Sequence, residues 1–256
     1  MRMFKLGVSV DSLGKGIRPG IEKAADLGVD GVQISSVREE THPDNLSRSG
    51  RREFRRLLGG KGLELASLGA DHGRGLSDAN ENNRIVAATS KSIVLARDLG
   101  TGIVTARLGS LPDGKHDSGR VAIAEALCDL SRSAEREGVV LAVRSAGAPP
   151  DKLRAFVDSL SLSAVKIDLD PANLIMQGHS PLESVKAFAP HVVHAYARDA
   201  RVGEGEMAFG EGEVPWREYL DALHEAGYAG FQTIQRDLRR GSFADVERAI
   251  RDLERF

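Results

Sequence analysis

Hydrophobic positions along this chain alternate between short apolar runs and longer segments in which apolar residues recur every three or four positions. The run at 139–143 is continuously apolar, which is typical of a strand covered on both faces. The segment 219–226 has helical spacing and a polar outer face. The predicted strands cover 4–10, 31–35, 63–69, 102–108, 139–143, 165–169, 192–197 and 230–235. The predicted helices cover 17–27, 47–58, 82–99, 121–137, 152–160, 182–188, 215–226 and 243–253.

Eight strands alternating with eight helices predict one α/β domain over residues 1–256, a closed (β/α)8 TIM barrel. The alternative is an open, doubly wound sheet, which often carries a glycine fingerprint after its first strand. Glycines 14, 16 and 20 follow the first strand, but their spacing is one residue too long for that fingerprint, and Pro19 interrupts it. The closed barrel is therefore the preferred interpretation.

Composition narrows the functional class. Lysine and arginine total 35 and aspartate and glutamate 37, so a net charge of −2 argues against a nucleic-acid-binding surface. No apolar run is long enough for a membrane helix, and the N-terminus does not resemble a signal peptide. The single cysteine, Cys128, rules out an internal disulfide. We expect a cytoplasmic protein that binds neither nucleic acid nor membrane, and homo-oligomerisation through outer helices stays open.

In TIM barrels, the residues that carry out the chemistry lie at the C-terminal ends of the strands. The polar residues at these ends are rich in arginine and aspartate, which suits a polyhydroxylated, carbonyl-bearing or anionic small molecule. They are Asp11, Ser12, Ser36, Arg38, Asp71, His72, Arg74, Arg107, Arg144, Asp168, Asp170, His194, Tyr196, Arg198, Asp199, Gln235, Arg236 and Asp237.

Three of these candidates also have a purely structural interpretation. Asp170 precedes Pro171 and suits a helix N-cap. His194 shares strand parity with Tyr196 and suits a hydrogen-bonded interior histidine, and Asp199 suits a loop cap. His72, in a short loop flanked by glycine, is less easily explained by packing.

Residues 203–212 are the most glycine-rich segment and follow the seventh strand. We expect a mobile lid there. A phosphate-binding loop is the alternative, but the interleaved glutamates would repel a phosphate.

The chain resembles the sugar phosphate isomerase/epimerase family of xylose-isomerase-like barrels. The segments that carry the resemblance are 167–175 (IDLDPANLI), 194–200 (HAYARDA), 210–216 (GEGEVPW) and 227–231 (GYAGF), with weaker agreement at 25–32 and 107–112. The resemblance implies a TIM barrel acting on a sugar, sugar phosphate or cyclitol, with the ligand bound where the strands end.

The resemblance also implies a divalent metal held by a glutamate, an aspartate, a histidine and a second glutamate, which end strands five to eight. These positions correspond here to Arg144, Asp170, Tyr196 and Gln235, so one ligand of four is kept. A guanidinium stays protonated and would repel a cation. We therefore expect no metal cofactor, with manganese or zinc disfavoured, and Arg144 paired with Asp170 in the metal's place. Glu204, Glu206 and Glu211 are the only lid residues that could restore a metal site.

Loss of both glutamates also removes the proton-transfer bases that the resemblance implies. Proton transfer would then depend on Tyr196, His72, Asp71, Asp168, Asp170 or Asp199. The predicted catalytic residues are Tyr196, His72 and Asp170. The predicted substrate-binding residues are Arg107, Arg144, Asn173, His194, Arg198, Asp199 and Gln235.

Two functions remain open at this point. The first is an isomerase, epimerase or lyase of carbohydrate metabolism that works without the metal. The second is a non-catalytic relative that binds a carbohydrate ligand or partners an active enzyme. The DNA-repair endonucleases that share this barrel are disfavoured because their cluster of metal ligands is missing.

Overall fold

Eight parallel strands close into a barrel in the computed structural model, which describes residues 3–78, 80–145 and 147–256. The barrel strands, with the label of each, are β1 (Lys5–Ser9), β2 (Gly31–Ser35), β3 (Glu64–Gly69), β4 (Ile103–Gly109), β5 (Val140–Ser145), β6 (Val165–Leu169), β7 (Val192–Ala197) and β10 (Phe231–Ile234). Strands β1 and β10 pair to close the ring. The predicted single-domain TIM barrel is confirmed.

Helices cover the outside of the barrel. They are α1 (Ile17–Asp26), α2 (Arg48–Gly60), α3 (Asn82–Leu99), α4 (Ser118–Glu137), α5 (Pro150–Leu160), α6 (Pro171–Met176), α7 (Pro181–Phe188), α8 (Trp216–Glu225) and α9 (Phe243–Leu253). Their apolar faces pack on the outer faces of the strands to form one continuous core. Among the described residues, no helix has the length and apolar content needed to cross a membrane.

Local sequence explains where several helices begin and end. Asp117 caps α4 by accepting hydrogen bonds from the backbone N–H groups of Gly119 and Arg120, so α4 begins three residues before its predicted start. Helices α3 and α4 end at Gly100 and Gly138, whose φ values of 89° and 64° favour glycine.

Two elements were missed by the sequence analysis. The short helix α6 was not predicted, although its N-cap Asp170 was. Strands β8 (Asp199–Arg201) and β9 (Gly205–Met207) form an antiparallel hairpin outside the barrel. The hairpin lies in the segment expected to be an open lid, and the three-residue strands are too short to show a period-two pattern.

Candidate active site

The strands end at two adjoining cavities of about 460 and 760 Å³. Both cavities are lined by Asp11, Arg38, Asp71, Arg107, Arg144, Gln235 and Arg239. The smaller cavity is lined by four arginines and two aspartates, with neither histidine nor lysine among its described lining residues. Its lining therefore carries a formal charge of +2, which favours an anionic ligand.

Arg144, the last residue but one of β5, is the central cation of the cavity. Its Nη1 donates to Oδ2 of Asp170 at 2.9 Å, its Nη2 lies 3.7 Å from Asp71, and its Nε lies 3.9 Å from Asp168. Its guanidinium also stacks over the Tyr196 ring, with 5.0 Å to the ring centroid. Burial alone would lower the Arg144 pKa, but the surrounding carboxylates outweigh it and raise that pKa. Arg144 is therefore a permanent cation, and its predicted pairing with Asp170 is confirmed.

Asp170 is a buried counterion shared by two arginines. Its side chain is 1% exposed, and its Oδ2 accepts from both Arg144 and Arg198. Oδ1 accepts from the backbone N–H of Asn173 and so caps α6. Burial works against the charged form, but the two arginines outweigh it and lower the Asp170 pKa. Both carboxylate oxygens are engaged by donors of the protein, which favours a structural role for Asp170 over the predicted catalytic one.

Asp71, at the end of β3, is the carboxylate that faces the cavity beside Arg144. Arg107 donates to Asp71 Oδ2 through Nη2 at 2.9 Å and Nε at 3.1 Å, and the backbone N–H of Gly73 donates to Oδ1. Burial opposes ionisation, but these donors lower the Asp71 pKa. A carboxylate and a cation thus lie within 4 Å of each other on the cavity wall.

Tyr196 and Gln235 are placed in the cavity wall as predicted. The Tyr196 hydroxyl exchanges hydrogen bonds with the side chain of Gln33, whose amide also donates to Ser67. Burial raises the pKa of Tyr196 to about 12, so it stays a neutral phenol near pH 7. Gln235 Oε1 is buried and has no hydrogen-bond partner among the described residues, which leaves it available to a ligand.

His194 does not face the cavity. Its Nδ1 lies 2.8 Å from Asp168 Oδ1 and its Nε2 lies 3.0 Å from Thr233 Oγ1. All three side chains are buried inside the barrel, and neither His194 nor Thr233 is among the cavity-lining residues. This position favours the structural interpretation of His194 over the predicted substrate-binding role.

The carboxylate of Asp199 is likewise engaged within the protein. It is buried, and its carboxylate accepts from the backbone N–H groups of Ala200, Gly210, Gly212 and Val214 and from the indole of Trp216. These donors use both oxygens to fix the loop between β9 and α8. The loop-cap interpretation is the correct one.

Two other predicted residues lie outside the main cavities. His72 is not among the described residues lining either of them. Burial and the nearby Arg84 lower its pKa, so its ring is neutral near pH 7. Asn173 lies in the first turn of α6, where it lines a separate pocket of about 20 Å³ behind Asp170. Their predicted catalytic and substrate-binding roles do not fit these positions.

The three lid glutamates that could restore a metal site, Glu204, Glu206 and Glu211, are each paired with arginine. Glu206 accepts from Arg198 and from Arg236 Nη1, the latter at 2.9 Å, and its side chain is 6% exposed. Glu204 pairs with Arg201, and Glu211 with Arg248.

The donor set at the cavity does not fit the divalent metal that the resemblance implies. Asp170 is shared between two guanidinium groups, and its neighbours in the wall are an arginine, a phenol and an amide. In the described part of the chain, no three histidine, cysteine, aspartate or glutamate side chains are grouped so that they could hold a metal ion. The positive charge of Arg144 would repel a divalent cation bound at this position.

Comparison with known proteins assigns the chain to a family. A family model described as "Xylose isomerase-like TIM barrel" matches residues 21–254. The chain belongs to the xylose isomerase-like TIM barrel family. This family includes sugar isomerases and epimerases.

Individual relatives are more distant. The chain is 27% identical over 182 residues to a Streptomyces coelicolor protein named "Putative hydroxypyruvate isomerase", covering 65% of this chain but 64% of that one, just under two thirds of its length. A xylose isomerase domain protein from Planctomyces limnophilus has a TM-score of 0.85 at 24% identity, covering 98% of this chain and 95% of that one. A D-tagatose 3-epimerase-like protein has a TM-score of 0.81 at 21% identity, covering 98% and 96%. Structural similarity at this level of identity shows the fold alone.

Proposed function

We propose that this chain moves a proton between adjacent carbons of a small, anionic hydroxycarbonyl compound, with Arg144 in place of the divalent metal. The observation that supports this most directly is the pair on the cavity wall: Arg144 Nη2 lies 3.7 Å from Asp71 Oδ2, and both side chains face the cavity. A base beside a fixed cation is the minimum that an enediolate mechanism needs.

In the proposed reaction, Asp71 takes a proton from the hydroxyl-bearing carbon next to the carbonyl group. The C–H electron pair forms the carbon–carbon double bond, and the carbonyl π pair moves onto oxygen, where the Arg144 guanidinium neutralises the developing charge. Asp71 then returns the proton to the former carbonyl carbon, while the hydroxyl proton moves from one oxygen to the other. Atoms and charge balance without a co-reactant.

The charge of the cavity supports an anionic substrate. Four arginines and two aspartates line the smaller cavity. Guanidinium groups bind carboxylates and phosphates through two parallel hydrogen bonds. The name of the Streptomyces relative points the same way, since hydroxypyruvate combines a hydroxycarbonyl group with a carboxylate.

A second function is favoured by one specific observation. Both aspartates that line the smaller cavity are paired with arginine, Asp71 with Arg107 and Asp11 with Arg38. The pKa of Asp71 is lowered by Arg107, which makes this carboxylate a weak base. A non-catalytic binding protein would need no free base. Ligand binding without proton exchange would support this alternative.

Proton exchange in deuterated water separates the two functions. The chain is incubated with excess EDTA and, in separate reactions, with hydroxypyruvate or D-tagatose, and deuterium entry at carbon is followed by NMR. The proposal expects EDTA-resistant exchange with hydroxypyruvate and its loss in Asp71→Asn. Exchange that requires added metal, or its absence from the unsubstituted chain, would refute the proposed reaction. A thermal shift with these compounds but no exchange would favour the binding protein.

A further inference from the structure

A chain of alternating charges runs from the cavity to the hairpin. It consists of Arg144, Asp170, Arg198, Glu206 and Arg236, each joined to the next by a hydrogen-bonded ion pair. All five side chains are at most 15% exposed. Water therefore screens these pairs far less than it screens the pairs on the outer surface.

Within this series of charges, Arg144 and Arg198 compete for Asp170. Its Oδ2 accepts from Nη1 of Arg144 and also from Nη1 of Arg198. Arg198 divides its own hydrogen bonds, since its Nη2 donates to Glu206 and its buried Nε has no partner among the described residues. Arg198 therefore bridges two carboxylates, Asp170 on the side of the cavity and Glu206 on the side of the hairpin.

Contacts within the hairpin and with the loop after β10 fix the position of Glu206 beside Arg198. Glu206 pairs with Ala200 across the hairpin, and its Oε1 also accepts from the backbone N–H of Asp237 at 2.8 Å. The preceding residue, Gly205, has a φ of 93°, and a Cβ there would lie 2.6 Å from Arg240. The glycine thus permits a close approach of the hairpin to the loop after β10.

We propose that Glu206 is a positioning residue: by holding Arg198, it limits how strongly Arg198 competes for Asp170 and so keeps Arg144 in place in the cavity. The consequence for turnover rests on the function proposed above, whereas the coupling between Glu206 and Arg144 does not. Without Glu206, Arg198 would donate its hydrogen bonds to Asp170 alone. This would weaken the hydrogen bond from Arg144 to Asp170 and make the position of Arg144 less fixed.

A double-mutant cycle on thermal stability tests this coupling without a substrate. Arg236 also pairs with Asp245 at 3.2 Å, so the other four members of the series carry no net charge. Among those four, Glu206→Gln leaves one unpaired positive charge and Arg144→Met leaves one unpaired negative charge. The double variant leaves a neutral Asp170–Arg198 pair. We expect the Tm loss of the double variant to be clearly smaller than the sum of the two single losses. Losses that add, or that exceed the sum, would overturn the proposal.

Arg107→Met is the matched control. It removes the same charge from the same cavity, but Arg107 pairs with Asp71 rather than Asp170. Its Tm loss should add to that of Glu206→Gln. Equal coupling of Glu206 to Arg107 and to Arg144 would show a general field effect and overturn the proposed path.

Two further measurements keep the test decisive. If Arg144→Met does not fold, the NMR signal of the Arg144 Nε–H group is compared between the unsubstituted chain and Glu206→Gln. A shift supports the proposal, an unchanged signal overturns it, and Glu206→Asp should restore the original position. If the unsubstituted chain exchanges deuterium into hydroxypyruvate, Glu206→Gln should slow exchange severalfold. If it does not, the proposed reaction fails while the cycle still decides the coupling.

Discussion

Replacing Arg144 by methionine removes the central cation and keeps a side chain of similar length. The variant leaves Asp170, which is 1% exposed, with Arg198 as its only charged partner among the described residues. It leaves Asp168 with His194 and Asp71 with Arg107. Breaking a buried ion pair by removing one partner costs about 3–5 kcal/mol. Because each of the three aspartates keeps one partner, we expect the lower end, about 3 kcal/mol. For a chain of this size, that lowers the Tm by about 6–12 °C.

The pH dependence of this loss follows from the sign of the Asp170 shift. The folded-state pKa of Asp170 is lowered, against its burial, by Arg198 and Arg144. The stabilisation is therefore present above the unfolded-state pKa of about 3.9 and is lost as the pH falls through the folded-state pKa. The deficit of Arg144→Met should be largest near pH 7 and should shrink below about pH 4.

Urea denaturation at several pH values measures this deficit, with Arg107→Met as the control. Arg107 is 41% exposed and its partner Asp71 is 35% exposed, so that pair should contribute about 0–1 kcal/mol. An Arg144→Met variant that loses no more stability than Arg107→Met at pH 7, or whose deficit grows as the pH falls, would show that Arg144 does not hold a buried ion pair.

The remaining predictions concern the groups around the site. Asp199→Asn should lower the free energy of unfolding by about 3 kcal/mol, because the buried carboxylate accepts five hydrogen bonds, and a urea midpoint equal to that of the unsubstituted chain would contradict this. Hydrogen bonds from Arg239 lower the pKa of Asp237 to about 2, so an NMR titration should show that midpoint moving up in Arg239→Ala; an unmoved midpoint would contradict the assignment. His72→Ala should leave deuterium exchange unchanged, since His72 lies outside both cavities, and loss of exchange would return it to the site.

The barrel could be predicted because its evidence is periodic and local. Continuous apolar runs such as 139–143 and amphipathic segments such as 219–226 alternate often enough to leave one topology. Helix caps follow from single residues, as Asp170 does before Pro171. The hairpin of β8 and β9 was missed because it is held by long-range contacts of Asp199 and Glu206 and has no pattern of its own.

The candidate site was predictable only as a set of residues at strand ends. The rule that chemistry lies at the C-terminal ends of the strands selected Tyr196, Arg144 and Gln235, and all three lie in the cavity wall. It could not separate His194 from Tyr196, because both point inward and only depth along β7 distinguishes a buried position from the cavity. The glutamine that holds Tyr196, Gln33, was overlooked because it lies within an apolar strand, two residues before its end.

The divalent-metal content of the protein tests the central claim most directly. The chain is incubated with manganese and zinc, dialysed, and analysed by mass spectrometry, together with Asp170→Asn. The account predicts much less than one ion per chain, because Arg144 already fills the place of a cation. One tightly held ion per chain that is lost in Asp170→Asn would contradict it.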